Sequence, residues 1–160
     1  GYALTYGKEN EIVISSFDSD FFQLITDKVS VLRYRGDKTT ICTPKYIKDK
    51  FNITPFQYAD FKSLTGDTSD NIKGADKVGP KTAALLLNEC GSLENIISNA
   101  DGIKKPSIKQ SIIRNAEKIR TNYKIIKLDN SAQLPFAMSE LAYKFNGITT
   151  NEVLKGVGLK

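Results

Sequence analysis

At 160 residues, 40% hydrophobic and 26% charged, the chain has the composition of one ordinary globular domain that can bury a core. Cys42 and Cys90 lie far apart with no C-x-x-C, there is no histidine, no apolar run nears the roughly 18 residues of a membrane span, and no signal-peptide pattern opens the chain. Zinc, disulfide-framework and membrane classes therefore lose support, and a reducing, cytoplasmic setting is expected. The net charge of +5 is unevenly placed: residues 71–127 hold eleven Lys/Arg against five Asp/Glu, a net of +6. That excess favours a polyanionic partner, although a solvated helix face accounts for any single charge run taken alone.

Residues 1–7 look like the end of a helix, and with no initiating Met the chain is expected to be the C-terminal portion of a longer domain. Residues 11–16 read E-I-V-I-S-S, a β-rich apolar run suited to a buried parallel strand. Directly after it come Asp18 and Asp20, a carboxylate pair at a strand's C-terminal end, where open α/β sheets place their sites. Asp18 also fits as the cap of the helix that follows, and for this pair alone capping is the better explanation. A second acidic pair further along reverses that preference.

Residues 29–35 and 39–43 are two β-rich runs around Gly36-Asp37-Lys38, a hairpin signal. The hairpin tip also accounts for the adhesion-like tripeptide Arg35-Gly36-Asp37. Thr43-Pro44 opens a helix to about Phe51, and Thr54-Pro55 repeats the device for a helix through Phe56, Ala59, Phe61 and Leu64. That helix leads into residues 64–82, L-T-G-D-T-S-D-N-I-K-G-A-D-K-V-G-P-K-T. Asp67 and Asp70 lie there, in a polar stretch that no hydrophobic period explains, so a loop is expected. Pro80 then sets the first position of a helix whose unpaired N–H groups, with Lys81 and Thr82, make a seat for a phosphate.

Two other motifs are excluded at this loop. Gly74 and Gly79 have the spacing of the nucleotide-binding G-x-x-x-x-G-K-[ST] loop, but Pro80 intervenes before Lys81 and no apolar strand precedes Gly74. A calcium hand counted from Asp67 needs Gly at its sixth position, which is Ile72. Further on, Gly91 reads as a helix C-cap and Ser92 as the N-cap of a short helix. The longest helix is expected over residues 106–128, with Ile108, Ile112, Ala116, Ile119, Tyr123 and Ile126 as its apolar stripe. Lys109, Arg114, Lys118, Arg120, Lys124 and Lys127 lie mostly off that stripe. The tail from Ser131 has weaker periodicity, with a short helix near residues 150–157.

Residues 64–83 closely follow L-T-G-D-x-S-D-N-[IL]-x-G-V-x-G-[IV]-G-x-K-T-A, and residues 16–24 resemble T-x-D-x-D-[FLY]-x-Q-L. Both strings resemble those of the 5′-3′ exonuclease and flap endonuclease family, which includes the 5′-nuclease domain of bacterial DNA polymerase I. The resemblance covers roughly residues 1–128. It implies an α/β fold, the C-terminal part of a PIN-like nuclease core (parallel strand plus hairpin) over residues 1–63. A helix-hairpin-helix DNA-binding region over 64–128 and a tail of unassigned role over 129–160 would follow. Asp18, Asp20, Asp67 and Asp70 match metal-binding carboxylates of the family, holding Mg²⁺ or Mn²⁺ on the leaving-group side. Gly74, Lys77, Val78, Gly79, Lys81 and Thr82 match the hairpin loop that grips the DNA backbone and that often binds K⁺ through carbonyls. One departure stands out: Lys77 occupies a position where the family usually has Gly.

What the resemblance implies is a monomeric, structure-specific 5′ nuclease of DNA replication and repair, associated with the nucleoid and acting on duplexes with a 5′ flap or 5′ end. The N-terminal part of the active site would lie outside this chain. The alternative is a noncatalytic helix-hairpin-helix DNA-binding module. A nucleotide-binding switch has only the broken glycine pattern behind it.

Overall fold

The computed structural model describes residues 1–129, 132–144 and 147–158. After a short helix α1 (Tyr2–Tyr6), a three-stranded sheet forms from β1 (Ile12–Ser15), β2 (Val29–Arg33) and β3 (Thr40–Cys42). β1 runs parallel to β2, with Ile12 opposite Val29 and Ser15 opposite Leu32, and β3 returns antiparallel with Cys42 opposite Val31. The tip expected at Gly36-Asp37-Lys38 is one turn of 3-10 helix. Alternation then divides the faces. Val29, Val31 and Cys42 point inward and are buried, while Val13 and Ile41 point outward and are 59% exposed each.

The chain crosses from β1 to β2 through a 3-10 helix (Ser19–Leu24) that drives Phe22 into the core. Phe22 meets the rings of Tyr46, Phe51 and Tyr58, the last edge-on at 5.2 Å between centroids, a favoured aromatic geometry. Helix α2 (Pro44–Phe51) begins as expected: Pro44 stands in its first turn and Thr43 Oγ1 accepts from Tyr46 N–H at 3.3 Å. It ends at Asn52 in the left-handed region, a helix-terminating conformation. The second Thr-Pro device starts with a 3-10 turn (Pro55–Gln57) that passes into α3 (Tyr58–Thr65).

Helix α3 is the hub. Tyr58, Ala59, Phe61 and Leu64 are all buried, and the helix packs on α4 (Pro80–Cys90), α5 (Leu93–Ser98) and α6 (Pro106–Ile126). One hydrophobic cluster runs from Phe22 beneath the sheet to Ile119 in α6, so sheet and helices share a core. Along α6 the stripe lies inward, with Ile108, Ile112, Ile119 and Ile126 buried and Ala116 and Tyr123 half-buried. Some of its basic residues are already engaged: Arg120 bridges Glu94 and Glu117, and Lys109 pairs with Asp101.

The tail returns to the start of the chain. Tyr2 Oη donates to the Phe136 carbonyl at 2.9 Å and accepts from the Phe136 N–H at 3.3 Å. A final short helix, α7 (Thr150–Gly156), is closed by a Thr149–Glu152 capping box and carries no buried residue.

Candidate metal and nucleic-acid site

Hydrogen bonds within the segment help to shape the first acidic turn. Beyond β1, Ser16 Oγ accepts from Asp18 N–H at 3.1 Å, and Asp18 Oδ1 accepts from Asp20 N–H at 2.9 Å. Asp18 therefore does cap the following turn. Gln23 fastens this turn to the end of α6, donating to the Ile126 carbonyl at 3.0 Å and accepting from Leu128 N–H at 3.2 Å.

The segment expected as a plain loop contains a two-residue ribbon, β4 (Gly66–Asp67) paired antiparallel with β5 (Ile72–Lys73). Two features force this. Gly66 turns the chain out of α3 with φ of +83°, a region glycine enters without penalty, and Gly74 approaches so closely that any Cβ would collide with the Leu64 carbonyl oxygen and Thr65. α6 then clamps the segment from beneath. Asn122 Nδ2 donates to the carbonyls of Ser63 (3.1 Å) and Lys73 (3.0 Å), and Ser111 Oγ donates to the Asp76 carbonyl.

The two segments meet electrostatically at Asp20. Its Oδ1 is buried with no hydrogen-bond partner, and its pKa is pushed up from 3.8 to about 6. Burial is the largest cause. The charges of Asp18, Asp67 and Asp70 add to it, and that of Lys62 opposes it. Asp67 is 6% exposed; its burial alone would raise its pKa, yet it lies below the usual carboxylate range. Hydrogen bonds from Lys62 and from Ser69, whose Oγ donates at 2.5 Å, outweigh the burial.

Asp18, Asp67 and Asp70 thus all act on Asp20, but among the described residues no three Asp, Glu or Cys side chains are gathered tightly enough to chelate an ion. Lys62 occupies Asp67, and the backbone of the 3-10 turn occupies Asp18. An unpartnered oxygen in a negative field, with one ammonium as counter-charge, is a donor set that suits a hard cation.

At the other end of the segment, α4 begins at Pro80 with Gly79 as N-cap, and no side chain takes its first N–H groups. Lys81 and Gly79 are exposed and Thr82 is half-buried. Val78 is 4% exposed, and its side chain anchors the turn. Lys77 has φ of +62°, the left-handed region that favours glycine, which explains why glycine suits this position.

Sequence reading missed Lys62, Ser111 and Asn122, and took Gln23 only as part of a motif. Lys62 stands five residues before Asp67, off the helical i,i+4 spacing, and only the turn at Gly66 brings the pair together. The polar residues of α6 lie on its inner face among the isoleucines, which is the one signal that they answer buried carbonyls.

A family described as 5′-3′ exonuclease, C-terminal SAM fold, matches residues 53–147. The thermostable DNA polymerase I of Thermus filiformis is 41% identical over 118 residues, which are 74% of this chain and 14% of that protein. DNA polymerase I of Streptococcus pneumoniae is 37% identical over 136 residues, covering 83% and 15%. The chain spans about one-seventh of the length of these relatives. Two bacteriophage T5 structures are superposable: the 5′-exonuclease with bound zinc (TM-score 0.68, covering 78% of this chain and 46% of that one) and the flap endonuclease with DNA and metal ions (TM-score 0.67, 78% and 46%). At 23% identity these two speak for the fold alone. The family match spans more than half of the chain and takes in the Asp67–Asp70 segment and the α4 N-terminus, and with it the chain belongs to the 5′-3′ exonuclease family, C-terminal SAM fold.

Proposed function

We propose that this chain is the C-terminal portion of a structure-specific, divalent-metal-dependent 5′ nuclease acting on DNA. Asp18, Asp20, Asp67 and Asp70 form one side of its metal site, and residues 74–82 hold the DNA backbone. The observation that carries this reading is the unpartnered, half-buried carboxylate of Asp20 in the field of three other aspartates, on a chain whose α4 N-terminus is left uncapped. The T5 structures with zinc, and with DNA and metal ions, support it by analogy of fold.

Mg²⁺ or Mn²⁺ at such carboxylates supplies an activated water and offsets charge on the attacking and leaving oxygens. The chain's own residues prepare the ground. Asp20, ionised above about pH 6, presents a bare oxygen, and Lys62 keeps Asp67 charged and in place. The N–H groups opening α4, with Lys81, bind a phosphate, and the carbonyls of the 74–79 turn are where K⁺ would bind.

Calorimetric titration of Mn²⁺ into the chain tests the metal site. Asp20→Asn is expected to abolish the binding heat, and wild-type binding retained in that variant would remove Asp20 from the site. Cleavage of a 5′-flap substrate by this chain alone, dependent on Asp70, would contradict its being only part of an active site.

A noncatalytic DNA-binding module is favoured by one observation, that Lys62 already neutralises Asp67. The two readings part on cation dependence. The nuclease reading expects duplex affinity to rise with Mg²⁺ or Ca²⁺, and the module reading expects no change. Under both, Lys81→Ala lowers affinity for all sequences alike, because phosphate contacts carry no base information.

A further inference from the structure

Beside the first acidic segment lies a second cationic feature, away from the basic helices. A shallow cavity of about 200 Å³ opens between the β2–β3 hairpin and α2, lined by Arg33, Arg35, Lys38, Thr40 and Tyr46. Lys50 reaches its rim, donating to Tyr46 Oη at 2.8 Å. Among the described residues none of these four cations has a carboxylate partner, whereas Lys45, Lys62, Lys109 and Arg120 all do. Asp37, exposed at the hairpin tip, is the nearest acid in sequence.

The pocket is tied to the acidic segment. Arg33 Nη2 donates to the carbonyl of Phe17 at 2.9 Å, one residue before Asp18, and the Arg35 guanidinium lies 5.2 Å from the centre of the Phe17 ring. Phe17, with that guanidinium over one face of its ring, is 49% exposed beside the cationic hollow. Unpaired cations around a hollow suit phosphate, and a half-exposed ring beside them suits an unstacked base, the combination that grips single strands.

We propose that this pocket binds a phosphodiester of an unpaired nucleic-acid strand passing the Asp18–Asp20 turn, with Arg35 and Lys38 as its principal phosphate contacts. The proposal rests on the nucleic-acid reading given under Proposed function and adds a second grip, specific for single strands, to the hairpin's hold on duplex.

The test is fluorescence anisotropy with a labelled oligo-dT strand and, separately, a blunt duplex, across a salt series. The doubly substituted Arg35→Ala, Lys38→Ala chain is expected to bind oligo-dT about tenfold more weakly, with a salt slope smaller by roughly 1.4, since each single-strand phosphate contact contributes about 0.7. Its duplex affinity should hold, and Arg35→Lys with Lys38→Arg should restore oligo-dT binding. Both side chains are exposed, and a thermal melt by circular dichroism checks the fold. Unchanged oligo-dT affinity in the alanine chain, with duplex binding still dependent on Lys81, would overturn the pocket and leave the nuclease reading standing. The reverse pattern would keep the pocket and remove the hairpin seat. Inorganic phosphate that bound as tightly as oligo-dT, and was lost in the same variant, would show a free-phosphate site and overturn the nucleic-acid assignment.

Discussion

The two acidic segments are held by opposite strategies. Gly66 to Gly79 is fixed largely from outside itself: α6 reaches up with Asn122 and Ser111 to take two of its backbone carbonyls and that of Ser63 in α3, and Ala75 N–H donates back to the Leu64 carbonyl at 2.8 Å. Ser16 to Asp20 instead has side chains of its own closing the turn, with the Leu32 carbonyl, Gln23 and Arg33 as its tethers. A segment tied into the core reports on global stability. One that is tied to itself reports on local order, so the pair separates scaffold from chemistry.

The largest expected effect strikes where the segments meet. Lys62→Met leaves the buried Asp67 carboxylate without its ammonium and should cost about 3 kcal/mol in urea unfolding at neutral pH. Added Mg²⁺ should recover part of the loss, and a variant as stable as wild type without metal would show that the ion pair does not hold the segment. Next comes Asn122→Leu, which strands two backbone carbonyls and should cost about 2 kcal/mol. A cost under about 0.5 kcal/mol there would break the claim that α6 clamps the segment.

A third experiment adds a pH axis. Asp60, on the buried face of α3, has its pKa raised from 3.8 to about 6, chiefly by burial, with the Leu93 backbone hydrogen bond and Lys127 opposing. Below 3.8 both folded and unfolded chains hold the proton. Between 3.8 and about 6 the folded chain keeps it while the unfolded chain loses it, so stability falls as pH rises, and the loss is complete above 6. Asp60→Asn should therefore stabilise the chain by about 1 to 2 kcal/mol at pH 7.5 and by almost nothing at pH 3.5. Equal gains at both pH values would refute this origin. The smallest effect belongs to Lys77→Gly, which relieves a left-handed residue and should add roughly 0.5 to 1 kcal/mol in the same unfolding assay. Loss of duplex affinity in that variant would assign the lysine to phosphate.

The sequence displayed what local chemistry writes into it. Thr43-Pro44, Gly79-Pro80 and the isoleucines of α6 announce their elements because caps, fixed φ and periodicity act within a few residues. The acidic pairs were legible as pairs through a motif. Their environment was not: the Lys62–Asp67 contact depends on a chain reversal, and the Asn122 clamp spans 49 to 59 residues. The ribbon at Gly66–Asp67 escaped notice for a related reason, since two-residue strands carry no alternation to read.

The bare N-terminus of α4 offers a way to set folding against recognition. A Cβ at Gly79 would meet nothing within 4 Å, and the residue's φ of −84° and ψ of 178° suit any side chain. Serine there would cap the helix by accepting from an amide that no side chain now takes, adding about 1 kcal/mol to the fold while withdrawing that donor from an incoming phosphate. Melting temperature and DNA affinity would then move in opposite directions from one hydroxyl, an outcome in which neither misfolding nor lost charge could be mistaken for lost recognition.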